Sequence, residues 1–109
     1  MQEAEFRSLL AQLFQRIEAK FENVDPDVVE CEVQYGALTL VFPNKTKLIL
    51  SAQPSVQQLW MANASRGVAY HFNYDGTRAQ WWDDKGQGIE VLAYLKKYLQ
   101  EEAQLNVEF

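Results

Sequence analysis

The sequence predicts an α+β fold: a two-layer sandwich with N- and C-terminal helices packed on one face of an antiparallel β-sheet. Three observations lead there. Apolar residues near the N-terminus recur with helical period, the middle of the chain alternates with period two between turn signals, and the helical period returns near the C-terminus. Two helices flanking a run of strands can share one sheet face, which leaves the other face to solvent or a partner.

The first helix is expected from Glu3 to Asn23, where Phe6, Leu9, Leu10, Leu13, Phe14, Ile17 and Phe21 repeat at i, i+3, i+4 and i+7. Asp25-Pro26 should end it, because the residue before proline avoids the α region. Glu18 and Glu22, four apart, then share the solvent margin of the apolar stripe. Val29, Cys31, Val33 and Tyr35 next alternate with Glu30, Glu32 and Gln34, the pattern of a strand with one buried face. Leu38, Leu40 and Phe42 follow a turn at Gly36, and residues 47–50 follow a turn at Pro43-Asn44-Lys45, which makes a three-stranded meander. Further strands are expected over Val56 to Ala62, Ala69 to Asn73 and Ala79 to Asp83, separated by Gly67 and Asp75-Gly76. The second helix runs from about Ile89 to Glu102 with Val91, Leu92, Leu95 and Leu99 on one side, and a short tail ends at Phe109.

With 109 residues, 48% hydrophobic and 13% aromatic, residues 1–109 suit a single domain with its own core. No apolar run approaches the roughly 20 residues of a membrane span, and the first ten residues carry acids where a targeting segment carries bases. A cytoplasmic protein with no membrane partner is expected. Cys31, the one cysteine, allows neither an internal disulfide nor a multi-thiolate metal site, and its alternation with Val29 and Val33 reads as a buried apolar residue.

The net charge of −5 argues against nucleic acid, since no Lys/Arg cluster is present to meet phosphates. Its distribution is more informative. Residues 1–32 hold eight acids against three bases and carry the entire excess, while the remainder balances with seven of each. Between Glu18 and Glu32 stand Glu18, Glu22, Asp25, Asp27, Glu30 and Glu32 with a single base, Lys20. Helix end and strand start must be neighbours, so these carboxylates can gather into a strip of hard oxygen donors suited to cations such as Fe²⁺, Fe³⁺, Ca²⁺, Mg²⁺ or Mn²⁺. The alternative is a solvated acidic face. Against it stands self-repulsion, on the order of 1 kcal/mol per close pair even in water.

In Gln58-Leu59-Trp60-Met61, alternation sends Leu59 and Met61 to one face and Gln58 and Trp60 to the other. If Leu59 and Met61 meet the helices, Trp60 stands on the uncovered face as an interface anchor. In the reverse register it is core. His71 lies between Tyr70 and Phe72 with no nucleophile to activate and no partner histidine, which favours a structural or surface role. Of the adjacent Trp81 and Trp82, one should be buried and one exposed. No phosphate loop, nucleophile elbow or dinucleotide fingerprint appears, so a binding protein is expected, not an enzyme.

Across essentially the whole chain the pattern resembles the frataxin family, in its bacterial, CyaY-type form. The pieces that carry the resemblance are Leu38-Thr39-Leu40, residues 42–47 reading FPNKTK, Gln53 with Trp60 seven residues on, Tyr70-His71-Phe72, and residues 82–88 reading WDDKGQG. Departures fall at Ser51, where an asparagine is usual, at Pro54, which comes one position early, and at Gly86, where an arginine is usual. The resemblance implies two helices on one antiparallel sheet and a role in iron-sulfur cluster assembly. It implies weak binding of iron, Fe²⁺ or Fe³⁺, by a ridge that here is Glu18, Glu22, Asp25, Asp27, Glu30 and Glu32. It further implies a monomer that docks on a cysteine desulfurase and an iron-sulfur scaffold protein through that ridge and a sheet contact of Gln53, Gln58 and Trp60.

Overall fold

A computed structural model describes all residues, Met1–Phe109. The element order is α1 (Glu3–Ala19), β1 (Glu30–Gln34), β2 (Ala37–Val41), β3 (Lys47–Gln53), a 3₁₀ turn (Pro54–Val56), β4 (Gln58–Asn63), β5 (Val68–Asp75), β6 (Gln80–Asp83) and α2 (Val91–Ala103). The six strands form one sheet in chain order, each antiparallel to its neighbour. Leu38, Leu40, Leu48, Leu50, Leu59, Met61, Phe72 and Trp81 project from it against Phe6, Leu10, Leu13, Phe14 and Ile17 of α1 and Val91, Leu95, Tyr98 and Leu99 of α2 in one buried cluster. Each such aliphatic side chain stabilises by about 1.5–3 kcal/mol on burial, so the alternation of period two is what binds sheet to helices. No helix is long and apolar enough to cross a membrane.

Several local expectations are corrected. Helix α1 stops at Ala19, not Asn23: Lys20, Phe21 and Val24 bond three residues back, to the carbonyls of Ile17, Glu18 and Phe21. Asn23, Val24 and Asp25 are weak helix formers, and the Asp25 carboxylate takes the Asp27 N–H at 2.9 Å, so the last turn unwinds before the proline. Glu22 therefore sits in this turn and not one helical turn above Glu18. Tyr35 is fully exposed, because Tyr35 and Gly36, with φ of 34° and 78°, form the tight turn between β1 and β2. Val33 is exposed and Cys31 only half-buried, since β1 is the sheet's edge strand.

Pro54, which lacks an N–H for the ladder, draws residues 54–56 into a 3₁₀ turn, and β4 begins at Gln58 instead of Val56. Ala79, expected in a strand, occupies a turn at φ 54°. On α2, Leu92 is only partly buried, while Tyr98, absent from the apolar list above, is 2% exposed and packs edge-on against Phe42. Glu90 caps α2 by accepting from the N–H groups of Leu92 and Ala93. In the tail, Val107 is buried, and the Phe109 carbonyl accepts from Arg16 Nε at 2.6 Å.

Candidate functional site

Two regions carry the expected site residues. All six carboxylates of the acidic run are exposed, and none pairs with a lysine or arginine; the molecule's ion pairs lie elsewhere, at Glu3, Asp75, Glu101, Glu102 and Glu108. Glu18, Glu22 and Glu30 line one shallow hollow with Phe21, Val29 and Cys31. Glu32 is the next outward residue on β1, while Asp25 and Asp27 sit on the connecting loop, where Asp25 shapes the local turn. The hollow has a polar edge over an apolar floor.

Cys31 reports the field of this edge. Burial, with the neighbouring charges of Glu18 and Glu32 added to it, pushes its thiol up to about 11. Near neutral pH it is therefore a thiol and offers no thiolate to a soft metal. The donors on offer are carboxylate oxygens, yet no group of three or more His, Cys, Asp or Glu side chains is arranged to cage a metal ion. Carboxylate oxygens are hard donors, of the kind that hard cations take.

Strand register decides how this edge relates to Trp60. Residues directly opposite one another across strands share a face. Glu32 stands opposite Thr39, which faces Ile49, then Ala62 and Ala69; Gln34 leads through Ala37 and Ser51 to Trp60 and His71. Glu30 and Glu32 thus emerge on the open face, the same face as Trp60, while Glu18 belongs to the helix layer. The edge bends around β1. At about 4.8 Å per strand, Trp60 on β4 lies roughly 14 Å from β1, within one partner's footprint.

Trp60 is half-buried, and Leu59 and Met61 are buried beneath it, so the outward register holds. Its indole Nε1 donates to Gln58 Oε1 at 2.9 Å, and Gln58 Nε2 donates to Asn73 Oδ1 and Asp84 Oδ2 at 3.1 and 3.2 Å. Gln58, expected as a contact residue, also braces this face, since both ends of its amide are engaged by neighbouring side chains. Gln53 stands opposite it at the end of β3, partly buried and with no side-chain bond. His71 stacks on the indole with ring centroids 4.2 Å apart and planes 12° apart, and its Nδ1 lies 3.7 Å from Asp84 Oδ2.

His71, Asn73 and Asp84 are the members of this face that sequence reasoning left out. The signal for His71 was present, since it and Trp60 both alternate outward; only the pairing of β4 with β5 shows them side by side. Trp81 is buried and Trp82 partly exposed, as expected, with the Arg78 guanidinium 4.7 Å above the Trp82 ring.

Known proteins resemble this chain over its full length. The model of a family described as the frataxin-like domain matches residues 1–107. Among similar sequences are proteins named iron-sulfur cluster assembly protein CyaY. That of Pseudomonas aeruginosa is 39% identical over 100% of this chain and 97% of its own. That of Psychromonas ingrahamii is 35% identical over 100% and 98%, and that of Tolumonas auensis is 36% identical over 87% and 86%. Among solved structures, frataxin from Psychromonas ingrahamii superposes with a TM-score of 0.86 at 33% identity, covering 99% of this chain and 97% of the other. Trimeric frataxin from Saccharomyces cerevisiae, complexed with ferrous iron, shares the fold with a TM-score of 0.70 at 22% identity, covering 96% and 88%.

Proposed function

The chain belongs to the frataxin-like family, and from that premise we propose that it binds iron and takes part in, and regulates, iron-sulfur cluster assembly. Relatives of full length at 35–39% identity bear the name of iron-sulfur cluster assembly proteins. The observation that carries the reading is the run of six exposed, unpaired carboxylates continuing onto the open sheet face that bears Trp60. Unneutralised acids at this density cost folding energy and serve best where a cation or a basic surface arrives to neutralise them.

In this reading Fe²⁺ or Fe³⁺ is cargo, held weakly by Glu18, Glu22, Asp25, Asp27, Glu30 and Glu32. The same acids steer the domain toward a basic patch on a cysteine desulfurase and the scaffold protein it serves. Gln53, Gln58 and Trp60 then dock on the sheet face. Charge sets the encounter rate and its salt dependence; the indole slows departure. A titration with Fe²⁺ followed by NMR tests the first half: signals of residues 18–32 should broaden while those of β5 and α2 stay sharp. Binding to purified desulfurase, with and without Trp60→Ala, tests the second.

The same exposed, unpaired acids also suit a second reading, an acidic interaction domain that docks on a basic surface without metal. It predicts unchanged spectra under iron together with full desulfurase affinity.

A further inference from the structure

We infer that His71 is a positioning residue for the docking tryptophan: its ring, stacked on the indole beside Asp84, holds Trp60 in the orientation a partner meets. The inference rests on the docking reading above and assigns roles to residues that it does not use.

Trp60 is held on two sides. The His71 ring lies nearly parallel to it at 4.2 Å, while the indole N–H is bonded to Gln58 Oε1. The supports are themselves tied. Gln58 donates to Asp84 Oδ2, the oxygen that lies 3.7 Å from His71 Nδ1, and the Asp84 N–H donates to the His71 carbonyl at 2.8 Å. Asp84 is steadied in turn by its neighbour. The Asp83 carboxylate accepts the N–H groups of Lys85, Gln87 and Ile89, bonds that hold it below the usual carboxylate range and close the loop between β6 and α2. A closed chain of contacts thus runs from indole to Gln58, Asp84, imidazole and back to indole.

Two consequences follow from that closure. The only polar atom of Trp60 is satisfied internally, so a partner meets an apolar indole face and has no N–H to satisfy. The ring is also ordered before the encounter. Immobilising such a side chain on binding would otherwise weaken association by roughly two- to tenfold, which is the effect His71 removes.

The test measures desulfurase affinity and the Trp60 indole N–H resonance in four proteins: wild type, Trp60→Ala, His71→Ala and His71→Phe. Phenylalanine keeps the stack and loses the approach of Nδ1 to the Asp84 carboxylate. The expected result is that His71→Ala weakens affinity by about five- to tenfold and shifts the Trp60 resonance. The resonances of Trp81 and Trp82 and the iron titration of residues 18–32 should not move. His71→Phe should recover affinity to within about threefold. If Trp60→Ala weakens docking but His71→Ala does not, the positioning role is overturned while the docking reading stands. Equal losses in His71→Ala and His71→Phe overturn the stack as the cause. If Trp60→Ala leaves affinity intact, the docking reading fails; the resonance still decides whether His71 holds the ring, and an unmoved signal in His71→Ala overturns that as well.

Discussion

Between Glu18 and Glu32 six carboxylates stand in water with no lysine or arginine paired to any of them, whereas three strands away Trp60 sits among side chains bonded to one another. The acidic edge is dense in charge and poor in fixed geometry. The tryptophan face carries little charge and is tightly specified, with one stack and three side-chain hydrogen bonds defining the indole. The difference teaches that one molecule can divide recognition into a part that acts at a distance and tolerates rearrangement and a part that acts on contact and does not. Screening over about 8 Å at physiological salt weakens the first and leaves the second nearly untouched.

The largest effect that would break this comparison comes from reversing the edge. Glu18→Lys, Glu22→Lys, Glu30→Lys and Glu32→Lys together should slow association with the desulfurase by about 10- to 1000-fold. Dissociation of whatever complex forms should change far less, and circular dichroism should show an intact fold. Stopped-flow traces with slow dissociation as the main defect would sink the division of labour. Next in size is Trp60→Ala, for which an interface anchor predicts dissociation accelerated by about 30-fold, or 2 kcal/mol, with the iron titration unchanged.

Salt sharpens the same contrast. Raising ionic strength well above physiological should lower the wild-type association rate by about tenfold, while the ratio of dissociation rates between wild type and Trp60→Ala stays within about twofold. A smaller effect, and one that should touch neither region, comes from the far end of the sandwich. Glu90→Ala removes the cap of α2 and should lower stability by about 1 kcal/mol, a shift of a few degrees in thermal midpoint, with iron and partner binding preserved.

The smallest effect reads the field of the edge directly. With its thiol pushed up to about 11, Cys31 should be alkylated slowly at pH 9, and Glu18→Gln should speed that reaction by a few-fold. The sign for stability follows from the same displacement. Between the ordinary thiol value of about 8.5 and about 11 the folded state holds the proton that the unfolded chain has lost, so this contribution is complete below that window and fades as pH rises through it. An unchanged alkylation rate in Glu18→Gln would show that the carboxylates add no such field to the effect of burial.

Much of the frame was legible from local pattern. Period-two runs located all the strands to within two or three residues, because a buried sheet face forces alternation whatever the neighbours are. The misjudged stretches share one feature: local signals competed. Residues 20–24 lie past the point where helix propensity fails, Tyr35 belongs by alternation to a strand but by position to a turn, and Pro54 removes a donor from what reads as a strand. That Trp60 lies opposite Leu59 and Met61 was legible, but which face is covered was decided by the burial of Leu59 and Met61; the bracing role of Gln58 was not legible, because hydrogen bonds to Asn73 and Asp84 span 15 and 26 residues.

Composition and periodicity alone point to two helices on one sheet and a negative first third, and they place Trp60 on the face opposite Leu59 and Met61. They do so because hydrophobic period and charge are properties of consecutive residues. The tertiary structure decided that Glu30 and Glu32 share the open face with Trp60, that Glu18 approaches from the helix layer, and that His71 and Asp84 close around the indole. Those facts depend on the register of five strand pairings and on one loop returning to β5, and register across such distances is set by the packing of the whole core.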